Sequence, residues 1–315
     1  MSDLVPVDLS GSRNAFLTPP AVSPADVYLA SLAPGSRRTM RHALRVMVEL
    51  AAPGAWTVST FPWHLLRPEQ TSLIREHLAA TAAPATVNKS LAALRRVLAE
   101  AWRLGLMSTD DYHRSADVAG IKAERLPAGR SVTGGELRAL FGATGPGPAG
   151  HRDCAALAIL YGGGLRRAEA VALELADFDA EAGSLTVRSG KGRKDRTAHL
   201  PPGAVVAIQR WLASRGEAPG ALLCPVDRAG VVHVRSMSTQ ALYARLGHLS
   251  EASGVSHLSP HDLRRSFVSD LLDGGADIAL VAAMAGHSSV TTTQRYDRRP
   301  EEAKARAASL LHVPI

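Results

Sequence analysis

Cys154 and Cys224 are the only cysteines in 315 residues. They stand too far apart to form a framework of paired spacings, which excludes a disulfide-stapled scaffold and fits a reducing compartment. Either could be a small buried hydrophobe. No stretch approaches the ~20 consecutive apolar residues of a membrane span, and no early segment joins a basic start to an apolar run. The expectation is a soluble, cytoplasmic protein with no membrane partner. The histidines lack zinc-type partner spacing and both cysteines are remote from them, so neither a metal nor any other cofactor is expected. Internal repeats and low-complexity tracts are also missing.

What the chain does contain is enough apolar residue, 46%, for folded cores throughout, in a length that exceeds the usual span of one compact domain. Lysine and arginine total 36 against 29 acidic residues, a formal net charge of +7. That balance favours a polyanionic partner.

The patterning divides the chain. Residues 1–22 mix Pro, Ser and Gly with isolated apolars and read as a flexible arm. From Ser23-Pro24, a cap followed by proline in the first turn, residues 23–116 read as a helical bundle. Its helices fall at about 24 onward, 36–51, 68–80 and 85–105. The last carries Val87, Leu91, Leu94, Val97, Leu98 and Ala101 at helical spacing, with Lys89, Arg95, Arg96 and Arg103 on the other face. By itself that basic face reads as solvated. Residues 117–130, with Pro127 and Gly129, read as a linker.

Residues 131–315 read as a second domain, mainly helical with one small antiparallel hairpin. Ser131-Val132-Thr133 reads as the cap of a helix reaching Phe141, with Glu136 in its first turn, and His151–Tyr161 is a buried helix stopped by Gly162-Gly163-Gly164. Strands at 184–188 and 197–200 flank a glycine-rich basic tip containing Lys191, Arg193 and Lys194. Helices follow at about 204–214, 238–252, 260–272, 278–284 and 301–311, with a short one ending in Tyr296.

Three segments carry chemistry. In Gly164-Leu165-Arg166-Arg167-Ala168-Glu169, Arg166 stands at a helix N-terminus, where backbone N–H groups favour an anion, and Glu169 lies on the same face to hold the guanidinium. In His261-Asp262-Leu263-Arg264, the spacing puts His261 and Arg264 on one face. Gly286-His287-Ser288-Ser289 is a helix-to-helix turn leading to Tyr296. Each fragment alone is ordinary: an Arg-x-x-Glu is commonly a surface pair, a helical histidine a structural one. Together, a phenol, two arginines, two histidines and a lysine at a glycine-flanked tip could attack a phosphodiester and neutralise the charge that builds on it.

On these segments the chain resembles the tyrosine recombinases, the phage integrase family, in an Xer-like arrangement. The match is specific from Arg166 to Tyr296 and looser over Ala85–Arg96, which is similar to the family's helical core-binding domain. The resemblance implies an α+β catalytic domain after that bundle. It also implies roles: Arg166 and Arg264 clamp the phosphate with Glu169 in support, Lys191 protonates the leaving 5′ oxygen, His261 accepts the tyrosine proton, His287 contacts the scissile phosphate, and Tyr296 forms a 3′-phosphotyrosine bond. Lys89, Arg95, Arg96, Arg193 and Lys194 are the expected DNA-binding residues. The implied partners are double-stranded DNA and either further copies of the chain, a dimer on one site and a tetramer on two, or a related recombinase, linked by the helix at 301–311. Accessory DNA-bending factors and a place at the nucleoid go with that reading. A type IB topoisomerase-like relaxing enzyme and a DNA-binding regulator that keeps the fold are the alternatives.

Overall fold

The structure, a computed structural model, describes residues 22–122, 129–188, 195–256, 258–287, 289–294 and 296. The expected arm up to residue 21, the hairpin tip 189–194 with Lys191, Arg193 and Lys194, and the expected helix at 301–311 lie outside the described residues. By its contacts the chain divides into two compact units, Met1–Glu124 and Arg125–Ile315.

The first unit is a bundle of α1 (Pro24–Ala30), α2 (Pro34–Ala51), α3 (Pro68–Thr81), α4 (Pro84–Arg103) and α5 (Thr109–Ala116). The first four open on a proline, whose fixed φ suits the first helical position and whose missing N–H costs nothing there. The stripe Val87, Leu91, Leu94, Val97, Leu98 and Ala101 on α4 is fully buried, packed with Leu44, Met47, Phe61 and Trp63. The Trp63 indole inside this core donates to Val58 O at 2.9 Å.

Two features of the bundle differ from the expectation. Helix α5 was not foreseen: Ser108 caps it by accepting from Asp111 N at 3.1 Å, and Trp102 stacks on its Tyr112 with ring centroids 5.4 Å apart. Residues 117–121, read as the start of a linker, are fastened along α4 and α3. Asn88 exchanges two hydrogen bonds with the backbone of Ile121, 2.9 and 2.7 Å. Arg75 donates to Ala119 O at 2.7 Å, Arg95 donates to Val118 O, and Val118 itself is buried.

The second unit contains α6 (Gly134–Gly142), α7 (Gly147–Gly162), α8 (Arg167–Ala172), α9 (Pro202–Arg215), α10 (Thr239–Ala252), α11 (Pro260–Asp273), α12 (Ile278–Ala285) and α13 (Val290–Gln294). A three-stranded antiparallel sheet, in the order β1 (Phe178–Asp179), β2 (Ser184–Val187), β3 (Arg196–His199), lies between α8 and α9 in sequence. The register pairs Ser184 with His199 and Val187 with Arg196. Alternation buries Leu185, Val187 and Ala198 against Leu160, Leu165, Ile208, Trp211 and Leu263. The two-residue β1 was not foreseen, and α7 begins one turn earlier than expected. Tyr296 does not end a helix: α13 stops at Gln294, and Tyr296 follows in a turn, donating its N–H to Thr293 O at 2.9 Å. Among the described residues no helix is long and apolar enough to cross a membrane.

Candidate active site

Four chain segments of the second unit meet at one place: the turn after α7, the start of α11, the end of α12 and the turn at Tyr296. The first of these turns on Gly164, whose φ of +59° suits glycine, and a side chain there would overlap the ring of Phe267. Arg166 then becomes the N-cap of α8, and Glu169 closes a capping box behind it. One Glu169 oxygen accepts from Arg166 N at 2.9 Å, and the other takes the Arg166 guanidinium at 2.7 Å. A second guanidinium nitrogen of Arg166 donates to Gly286 O at 2.9 Å.

Helix α11 is set by Pro260 and by Asp262, which accepts from Ser259 N at 2.9 Å and Ser259 Oγ at 2.6 Å. The same carboxylate accepts from Arg130 N at 3.0 Å. The helix buries Leu263, Phe267 and Arg264, the last only 3% exposed. The Arg264 guanidinium donates to Gly164 O at 2.5 Å and to Ala285 O. Arg166 and Arg264 therefore grip adjacent carbonyls at the end of α12, where the chain turns at Gly286 with φ +63°.

Beyond that turn, His287 Nδ1 lies 2.8 Å from Thr293 Oγ1, and Thr293 is fully buried. The ring of His287 stacks with that of Tyr296 at 6.2 Å between centroids. The Tyr296 hydroxyl stands 3.4 Å from His261 Nε2, and the Arg265 guanidinium covers its ring at 5.2 Å. A cavity of about 450 Å³ opens here, lined by Arg166, Arg167, Tyr243, Ser259, His261 and Arg264.

The electrostatics follow from burial among cations. Burial, then Arg264 and Arg265, hold His261 below its ordinary value. Burial, then Arg264 and Arg166, push His287 down to about 4. Both imidazoles are neutral at pH 7 and can accept a proton or a hydrogen bond. Burial and neighbouring Arg166 lower Arg264 to about 10, which leaves it charged. Burial works to raise Glu169, but hydrogen bonds from Arg196 and Arg166 outweigh it and bring the carboxyl to about 2.

Of the residues expected to act, Arg166, His261, Arg264, His287, Tyr296 and the supporting Glu169 are brought together. Lys191, Arg193 and Lys194 lie outside the described residues. On α4 of the first unit, Lys89 is exposed, while Arg95 is turned onto Val118 O and Arg96 pairs with Glu100 at 3.3 Å. Two arginines were not anticipated in their positions. Arg265 covers the tyrosine ring, and Arg196 pairs with Glu169 at 2.8 Å. Among the described residues no group of three or more His, Cys, Asp or Glu could hold a metal ion.

The phage integrase family matches residues 130–302. Tyrosine recombinase XerD of Mycobacterium leprae is 35% identical over 267 residues, 80% of this chain and 80% of that protein. Tyrosine recombinase XerC of Pelobacter propionicus is 39% identical over 152 residues, 47% of each chain. The match thus spans about half the length of some relatives and most of another. Among solved structures, the Tn1549 transposon integrase in complex with transposon right end DNA superposes with a TM-score of 0.70 at 16% identity, covering 91% of this chain and 99% of that one. A lambda integrase dimer bound to a COC′ core site gives 0.64 at 15%, covering 88% and 96%. Identities this low speak for the fold.

Proposed function

The chain belongs to the phage integrase family of tyrosine recombinases, and on that premise we propose that it is a site-specific recombinase that cleaves and rejoins DNA through Tyr296. The phenol attacks the scissile phosphorus, an O–P bond forms to tyrosine, and the bond to the 5′ oxygen breaks. His261 takes the phenolic proton, and Lys191 supplies one to the departing 5′ oxygen. Arg166 and Arg264 neutralise the charge that grows on the non-bridging oxygens, as a planar guanidinium pair can and ammonium groups cannot. Glu169 keeps Arg166 aimed, and His287 contacts the same phosphate. The phosphotyrosine retains the energy of the phosphodiester, so a 5′ hydroxyl from a second site can reverse the step without ATP.

The observation that carries this reading is the Tyr296 hydroxyl beside a neutral His261, which lines one cavity together with Arg166 and Arg264. The relaxing-enzyme and binding-only alternatives are less favoured, because the relatives are recombinases and every described catalytic position is filled. Lys89, Arg193 and Lys194 supply phosphate contacts and a salt-dependent baseline affinity. Two copies occupy one site and four join two sites, with residues 301–311 docking on a neighbour and DNA-bending proteins as accessories. The setting is cytoplasmic, at the nucleoid. The test begins with a duplex selected from a random-sequence pool by the full chain. Strand exchange between two copies of that duplex supports the proposal, and relaxation of plasmids lacking it, with no exchange, contradicts it. Tetramer assembly that survives truncation after Arg299 would remove the docking role of 301–311.

A further inference from the structure

Three consecutive carbonyls at the end of α12 point to three arginines. Helix termini leave their last carbonyls without intrahelical partners, and cations are favoured there. Here Gly286 O receives Arg166 and Ala285 O receives Arg264. Met284 O faces Arg196 Nε across a longer 3.4 Å. The first two arginines belong to the phosphate clamp. The third opens β3, where its backbone is pinned in register with Val187, and its side chain is only 14% exposed.

Arg196 also reaches the clamp from behind. Its guanidinium lies 2.8 Å from one oxygen of Glu169, and the other oxygen takes Arg166 at 2.7 Å. A carboxylate held at both oxygens has no freedom to rotate, so the partner on one side decides where the other is aimed. Gly286 approaches so closely that a Cβ there would stand 3.0 Å from Arg196 Nε. One side chain thus joins β3, the start of α8 and the end of α12.

We propose that Arg196 is a positioning residue for DNA cleavage: it fixes the Glu169 carboxylate that aims Arg166, and it braces the end of α12 that presents His287. It acts through these neighbours and makes no contact with the scissile phosphate. The inference rests on the recombinase reading above. Part of its effect is electrostatic, because a carboxylate shared between Arg166 and Arg196 offsets repulsion within a cluster of three guanidiniums.

The test uses the full chain and the selected duplex, nicked so that the cleaved product escapes and the covalent complex accumulates. With Arg196→Met, DNA affinity is expected to stay at the wild-type level while the single-turnover rate of covalent attachment falls about 100-fold, the usual cost of one misplaced charge donor. Arg196→Lys, which keeps the charge but not the fork, should recover part of that loss. In a Glu169→Gln background the same change should cost far less, because the two act as a unit. If Arg196→Met melts below the assay temperature, Arg196→Lys is read by the same measures. Attachment at the wild-type rate overturns the inference, as do losses that simply multiply with Glu169→Gln, or affinity and rate falling together with the melting temperature. Absence of any covalent complex with the wild-type chain would instead overturn the recombinase reading.

Discussion

The Tyr296 hydroxyl lies 3.4 Å from His261 Nε2, although the histidine stands at the start of α11, among cations, and the tyrosine in the turn after α13. Burial first, and then Arg264 and Arg265, keep the imidazole neutral, and a neutral imidazole can receive the phenolic proton. The cations that depress the histidine are also placed to favour a phenolate beside it.

The pH dependence of cleavage follows. A free histidine titrates near ~6.5, and His261 lies below that because of burial, Arg264 and Arg265. Single-turnover attachment should therefore be level at neutral pH and decline only on the acid side of the ordinary histidine value. His261→Gln should lower the rate and remove that decline. A wild-type rate that already halves above pH 7 would count against His261 as the proton acceptor.

Arg264 is expected to be sensitive to both charge and shape. Arg264→Lys keeps a cation but loses the fork, and cleavage should fall by about 100-fold or more. Arg264→Ala additionally strips donors from the buried carbonyls of Gly164 and Ala285, at a cost of about 1–3 kcal/mol for each group left unpaired. Denaturant melts should show the alanine variant clearly less stable than the lysine variant. Equal stability would mean that these carbonyls find other partners.

Stability should fall in acid in two stages. His287 is lowered to about 4, so the folded state binds fewer protons than the unfolded chain between that value and ~6.5. Its contribution is complete above the unfolded value and is lost as pH falls toward 4. Glu169, lowered to about 2, holds its contribution above its ordinary value of 4.5 and loses it as pH falls toward 2. Urea titrations across this range should show His287→Gln flattening the first stage and Glu169→Gln the second. An unchanged slope in either variant would contradict the corresponding assignment.

Gly164→Ala and Gly286→Ala should differ in character. Both positions have positive φ, a conformation that costs an L-residue about 1–2 kcal/mol. At Gly164 the new methyl would overlap the Phe267 ring, whereas at Gly286 it meets the Arg196 side chain at the milder 3.0 Å. Thermal melting should therefore drop more for Gly164→Ala. Gly286→Ala should lose cleavage while keeping most of its stability, and the reverse order would contradict this packing.

Much of this was legible in the chain itself, for physical reasons. Proline in the first turn and apolar side chains at helical spacing announced α1 to α4, and Ser131-Val132-Thr133 with Glu136 in the first turn announced α6, where the structure makes Thr133 the cap. Helix α5 was not, because Ser115 is its only buried residue and it has no apolar stripe to read. The glycines flanking Arg166 and His287 marked their turns. Arg196 was hidden, since it reads as the last charge of a basic run and only the pairing of β2 with β3 carries it to Glu169. Arg95 was misleading in the opposite sense. Its place on the basic face of α4 suggested DNA, yet the structure turns its guanidinium onto Val118 O, a contact no local spacing reveals.

The most direct measurement of the central claim is the identity of the residue joined to DNA. Protein trapped on the nicked duplex, digested and sequenced by mass spectrometry, should carry a 3′-phosphonucleotide on Tyr296, and Tyr296→Phe should bind the duplex equally well and yield no adduct. An adduct on any other residue, or one that persists in Tyr296→Phe, would contradict the account.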